Sequence, residues 1–154
     1  MAGYQVPGYS RSEGKMKFTK LSAGTYEIMC KACEVTEPKN PSPIDVWSFT
    51  YTILAGPPDA DGKSSVNRTA WDKVFILKPE HPSYKPEWDD PHSGQVQMGV
   101  DELKSRGLAF GVTARKDVLN PESFVGLKAR ARLYYELGKD KKEYARWTDF
   151  EPVE

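Results

Sequence analysis

The sequence predicts a mainly β protein: five strands, with one helix between the third and the fourth. Three observations lead there. Two segments, Trp47 to Ile53 and Leu127 to Tyr134, alternate apolar and polar residues with period two, as strands buried on one face do, and three more segments between turn signals read as strands. Clusters of Gly, Pro, Ser and Asn separate them, as turns require. Apolar residues recur at helical spacing in one place, where Val96, Val100 and Leu103 would share a helix face over roughly residues 95–106. At 154 residues the chain is about one domain, long enough to bury a real core.

Residues 1–15 are rich in Gly, Ser and Tyr without a period and read as a flexible arm; residues 16–154 form the domain. After the turn signal Ser22-Ala23-Gly24, Thr25 to Thr36 is the first expected strand. Tyr26, Ile28, Cys30 and Ala32 share one face, and Glu27, Met29, Lys31, Cys33 and Val35 the other. Pro38, Pro41 and Pro43 make the next stretch a loop, since they cannot sit in a paired strand. Asp45 to Leu54 is the second strand, with Trp47, Phe49, Tyr51 and Ile53 alternating with Ser48, Thr50 and Thr52. Gly56 to Lys63 is a turn-rich connection. Val66 to Leu77 is the third strand, with Asn67, Thr69, Trp71, Lys73, Phe75 and Leu77 opposite Arg68, Ala70, Asp72, Val74 and Ile76. Lys78 to Gly94 carries four prolines and is a long irregular insertion, of a length that is usually functional or mobile. The helix ends near Gly107, and Asp117 to Ser123 adds a short helical turn. Leu127 to Leu137 is the fourth strand, Gly138 to Lys142 a turn, and Glu143 to Phe150 the fifth.

Strand, strand, strand, helix, strand, strand is the order of the five-stranded OB-fold barrel, whose helix between strands three and four plugs one end. Closing the barrel also removes exposed strand edges. The same five strands also fit a sandwich. The expected fold is a mainly β, five-stranded OB-fold barrel with one helix and a long insertion after the third strand.

Twenty-two cationic residues balance 22 acidic ones, so net charge favours no class of partner. A binding groove needs local positive potential rather than a basic protein. Charge is segregated: Lys128 to Arg132 is basic, and Trp88-Asp89-Asp90 is acidic. The N-terminus has no apolar signal segment and nothing approaches the length of a membrane span, so a soluble intracellular protein with no membrane partner is expected. Two cysteines make no disulfide framework.

The leading candidate site is the fourth strand. Leu127, Ala129, Ala131 and Leu133 fall on one face; Lys128, Arg130, Arg132 and Tyr134 fall on the other. Cations spaced along a strand can track a phosphate backbone, and an adjacent ring gives a base something to stack on. A solvated strand face is the plainer reading of such a run. The chain also carries four Trp and eight Tyr. Trp47, Phe49 and Tyr51 on one face are most simply core. Trp71 beside Lys73, and Tyr134 beside the basic stripe, are less easily explained that way; Trp147, after Arg146, fits either. The candidate nucleic-acid set is therefore Lys73, Lys128, Arg130, Arg132 and Arg146 for phosphates, and Trp71 and Tyr134, with Trp47, Tyr51 or Trp147, for bases.

Other motifs carry less. Cys30-Lys-Ala-Cys33 matches C-x-x-C, but residues three apart on an extended strand face opposite sides, and no second pair completes a tetrahedral site. His81 and His92 complete a Cys2His2 set only if that strand bulges. Gly56 to Ser64 resembles a phosphate-cradling loop but has one residue too many and leads into a strand instead of a helix N-terminus. Glu80, His81, Glu87, Asp89, Asp90 and His92 read as a solvated acidic loop, since nothing in the sequence holds them in fixed geometry. No nucleophile–base arrangement stands out. No catalytic residue, metal or cofactor is expected, and the protein is not expected to be an enzyme.

Several segments, in order, resemble a known family. Phe18-Thr-Lys-Leu-Ser-Ala-Gly-Thr-Tyr-Glu-Ile opens the match, and Trp47-Ser-Phe-Thr-Tyr-Thr-Ile-Leu-Ala-Gly56 follows. The helix around Val100 to Gly107, the segment Phe124-Val-Gly126-Leu-Lys128-Ala-Arg-Ala, and a closing Phe150-Glu-Pro152 complete it. Together, over about residues 16–153, they resemble the bacteriophage OB-fold single-stranded DNA-binding proteins. The resemblance implies an OB barrel that coats and protects single-stranded DNA during phage replication or recombination, in the cytoplasm of the infected host cell. Partners implied are single-stranded DNA and replication or recombination proteins; a homo-oligomer is compatible with it. The chain departs from the pattern in its longer Lys78 to Gly94 insertion and in scattered acids where many replication single-strand binders carry a long acidic tail. An alternative from a different class is a structural or adaptor module that binds protein through residues 79–94.

Overall fold

The computed structural model describes residues 3–8, 10, 20–36, 44–78 and 95–153. Most of the expected arm, and the expected insertion beyond Lys78, lie outside these residues, as do both histidines and the acidic loop around them. Five strands and one long helix form: β1 (Gly24–Thr36), β2 (Ile44–Ala55), β3 (Thr69–Leu77), α1 (Gln95–Phe110), β4 (Lys128–Leu137) and β5 (Glu143–Glu151). The strands make one antiparallel sheet in the order β3-β2-β1-β4-β5. Among the described residues no backbone ladder joins β3 to β5, so these are the sheet's two edges.

Alternation drives the sheet's packing. Tyr26, Ile28 and Cys30 of β1, Trp47, Phe49, Tyr51 and Ile53 of β2, Ala70 and Val74 of β3, and Ala129, Ala131 and Leu133 of β4 are all buried on one face. Small residues on β4 make room for large ones on β1: Ala131 lies opposite Tyr26, and Ala129 opposite Ile28. The sheet is strongly curled. β2 and β5 are three strand spacings apart, about 14 Å if the sheet were flat. Yet the Tyr51 and Trp147 rings meet edge to face at 5.8 Å. Phe110 of α1 and Phe124 join these rings: Phe110 stacks on Tyr51 at 5.8 Å and meets Phe124 edge-on at 5.8 Å.

Irregular backbone explains where the expected elements shift. β3 begins at Thr69, not Val66, because Asn67 takes a left-handed conformation (φ 70°) in a turn closed by the Arg68 N–H on the Ser65 carbonyl. Asn tolerates that region better than most residues. Lys116 and Asp117 are also left-handed (φ 52° and 63°), which prevents a helix from starting there. The helical turn forms instead at Pro121–Phe124, capped by the Asn120 side chain accepting the Glu122 N–H at 3.1 Å. In β1 the pairing slips between Cys30 and Ala32, so Lys31 is an extra, bulged residue. The bulge reverses the alternation beyond it. Cys33 therefore turns inward, where a regular strand would have put it outside, and both cysteines are free and buried.

α1 continues past Gly107 to Phe110. It ends where Gly111 is left-handed (φ 82°) and the Gly111 and Val112 N–H groups both bond the Gly107 carbonyl (2.9 and 2.8 Å). The face it turns to the sheet is Val96, Gly99, Leu103, Arg106 and Phe110; Val100, expected on that face, is 45% exposed. Gly99 is required by contact. A β-carbon there would lie 2.4 Å from the Phe75 carbonyl oxygen, so the bare backbone lets the helix rest on β3. No helix among the described residues is long and apolar enough to cross a membrane.

Candidate nucleic-acid interface

Because α1 packs against β3, β4 and β5, it holds the sheet's two edges near each other. The gap between them is a groove of about 950 Å³. One rim is the outer face of β3, with Trp71, Lys73 and Phe75. The other comes from β4 and β5, with Tyr134, Glu136, Tyr144 and Arg146. Cross-strand pairing makes the second rim one patch, since Tyr134 lies opposite Arg146 and Glu136 opposite Tyr144. Four rings stand open along the groove: Trp71 (67% exposed), Phe75 (51%), Tyr134 (38%) and Tyr144 (43%). Met98 of α1 adds a flexible apolar side chain at 52% exposure.

The floor is charged but closed. Arg106 donates to both oxygens of Asp72, through Nε at 2.7 Å and Nη2 at 3.1 Å, and from Nη2 to the Trp147 carbonyl at 3.4 Å. One guanidinium thus ties α1 to β3 and β5 together. The Tyr51 hydroxyl donates to Asp72 at 2.7 Å, and the guanidinium lies 4.3 Å from the centre of the Phe150 ring. Burial opposes the charge on Arg106, but the hydrogen bonds and negative charge of Asp72 outweigh it, so its pKa rises and it stays cationic. Burial first, and then the Asp72 charge, push the Tyr51 hydroxyl well above the usual phenol range. At the groove's margin, Tyr144 donates to Asp140; that bond raises the phenol's pKa and lowers the carboxyl's.

Of the ten residues that the sequence nominates for nucleic acid, five line the groove: Trp71, Lys73, Tyr134 and Arg146 on its rims, and the buried Trp147. Three rings leave the exposed set. Tyr51 is wholly buried, Trp47 is 9% exposed and Trp147 is 6% exposed. Each points to the concave face of the curled sheet, and Trp147 is held edge-on by Tyr26 and Tyr51, both at 5.8 Å. Lys128, Arg130 and Arg132 run along the outer face of β4, beside the groove and not within it. The arginines there, and Arg146 on the rim, are matched by carboxylates. Arg130 lies 3.7 Å from Glu27 and 3.9 Å from Glu151, Arg132 lies 3.0 Å from Asp149, and Arg146 lies 3.2 Å from Glu136. Among the described residues neither Lys73 nor Lys128 has such a partner.

Phe75, Tyr144 and Met98 are rim residues that sequence reasoning left out. Phe75 shares the Trp71 face by alternation, and Tyr144 shares the Arg146 face, so period two carried a signal for both. The bulge at Lys31 does occur, but His81 and His92 lie outside the described residues; among the described residues no group of three or more potential metal ligands includes Cys30 and Cys33. Burial pushes their thiols up to about 11 and about 12, the reverse of what a thiolate ligand needs. The Gly56 to Ser64 loop folds around Asp59, which accepts the Asp61 and Lys63 N–H groups at 2.9 Å each and pairs with Arg68 at 3.2 Å. Those amides are spent on a carboxylate of the chain's own. Comparison with protein-family models and with curated protein sequences finds no match to this chain.

Proposed function

We propose that this protein binds single-stranded DNA without sequence preference, in the groove between β3 and β5 of an OB-type barrel. The observation that carries the reading is the row of four exposed rings facing one another across that groove, with Lys73 and Arg146 beside them. Stacking on such rings contributes ~1–3 kcal/mol per base and tolerates any base, because every base has a π-face. Cations next to the rings supply phosphate contacts. OB folds bind oligonucleotides across strands two and three and the loop between strands four and five. Trp71, Lys73 and Phe75 sit on β3, and Tyr144 follows the β4–β5 turn, which agrees with that use. A sheet whose free edges are β3 and β5, bridged by Arg106, is what a barrel left open between those strands would present. The order of segments resembling the phage single-strand binders extends the proposal to coating DNA in phage replication or recombination, in the cytoplasm of an infected cell.

Tryptophan fluorescence tests this, because among the described residues Trp71 is the exposed tryptophan while Trp47 and Trp147 are buried. Oligo-dT added at low salt is expected to quench part of the emission, and Trp71→Phe to remove most of that quenching. No change in emission at micromolar oligonucleotide would remove the support for stacking at the rim.

One observation favours a second reading. The arginines of the outer face are already neutralised by the chain's own carboxylates, which suits a protein-docking surface better than a phosphate track. As an adaptor, the protein would use the same apolar rims and ignore DNA.

A further inference from the structure

We propose that the carboxylates facing the basic stripe set the protein's preference for single strands over duplex; this rests on the single-strand reading above. The outer face carries Lys128, Arg130, Arg132 and Arg146 against Glu27, Glu136, Asp149 and Glu151, four charges of each sign. The match is built into the backbone. Between the pairings of Arg130 and Arg132, β5 inserts one extra residue, and Asp149 adopts a left-handed conformation there (φ 53°). The bulge places Asp149 against Arg132 and Glu151 against Arg130. The side chains in these ion pairs are between 38% and 63% exposed, and exposed pairs of this kind contribute little to stability. A bulge that holds exposed carboxylates over arginines, at little gain in stability, is explained by what it does to ligands.

The two ligand types depend on charge differently. Duplex DNA presents one phosphate charge per ~1.7 Å of axis, and its non-specific binding comes almost wholly from those charges. Its bases are stacked inside and offer nothing to Trp71, Phe75, Tyr134 or Tyr144. A single strand can splay its bases onto those rings and needs less help from charge. A face of zero net charge therefore removes most of the attraction for duplex and only part of it for single strands. Discrimination of this kind comes from withholding an interaction from the wrong partner.

The test is Glu27→Gln/Asp149→Asn/Glu151→Gln in the full chain, which leaves the groove's own Glu136 in place, compared with wild type by anisotropy of labelled oligo-dT and labelled duplex at low salt. Asp61→Asn/Asp117→Asn/Glu122→Gln, away from the groove, controls for net charge alone. The expected result is a gain of roughly tenfold or more in duplex affinity for the first variant, a smaller gain for oligo-dT, and no comparable change in the control. If wild type binds oligo-dT but the variant's duplex affinity is unchanged, the proposal falls and the single-strand reading stands. An equal gain for both ligands, or the same gain in the control, also overturns it. If wild type binds no oligo-dT, both fall together.

Discussion

Trp71 and Tyr51 lie on neighbouring strands and have opposite fates, decided by the direction in which each side chain leaves the sheet. Tyr51 points to the concave side and spends its hydroxyl on Asp72; Trp71 points away and stands 67% exposed. Trp71 joins Phe75, Tyr134 and Tyr144 in an exposed apolar patch, the kind of surface that marks a binding site, which is why Trp71, not Tyr51, bears on function. Cys30 and Cys33 belong to the concave side. Their thiols, normally at 9.0, are pushed up to about 11 and about 12 by burial. The folded chain thus holds these protons more tightly than the unfolded chain does. That contribution is complete below about pH 9 and is lost as the pH rises through the folded values. Urea midpoints are expected to fall above pH 9, and Cys30→Ala/Cys33→Ala to make the fall shallower. An identical pH profile in the double variant would mean that the thiols do not ionise on unfolding in this range.

At the scale of elements, α1 depends on two residues that do not look like core. Its buried residues are Gly99, Arg106, Gly107, Ala109 and Phe110, with Leu103 half-buried beside them, and neither a glycine nor an arginine registers as apolar in a periodicity count. Gly99 permits contact with the β3 backbone, and Arg106 joins β3 to β5 through Asp72 and the Trp147 carbonyl. Arg106→Met would leave the Asp72 carboxylate buried and uncompensated, which is expected to cost about 3–5 kcal/mol in urea denaturation. A loss under about 1 kcal/mol would mean that water reaches Asp72 once the guanidinium is gone. β2 and β4 were legible because period two survives along most of each, and the other strands because turn residues bound them. The reversal at Cys33 was not, because one bulged residue at Lys31 flips every position after it and leaves no trace in composition. The start of β3 was missed for a related reason: Asn67 fits the alternation, but its left-handed backbone belongs to a turn.

At the scale of the whole molecule, the groove comes from edges far apart in sequence. Trp71 and Phe75 are more than fifty residues from Tyr134 and Tyr144, and only the curl of the sheet and the helix beneath it bring the rims together. Sequence patterning could name Trp71, Lys73, Tyr134 and Arg146 but could not assemble them, and it placed the stripe of β4 at the centre when the geometry puts it at the flank. The ion pairs along that flank were equally hidden, since Glu27 and Arg130 are partners only through strand pairing. In the proposed binding mode, rings on the groove's rims hold single strands. Anisotropy of labelled oligo-dT, at two salt concentrations with duplex as competitor, tests it in wild type and in Trp71→Ala. The expected result is binding that duplex does not displace, that weakens with salt by a slope of about −0.7 per phosphate held, and that drops by ~1–3 kcal/mol in the variant. Equal affinity of the two proteins for oligo-dT, or no binding by wild type at low salt, would contradict it.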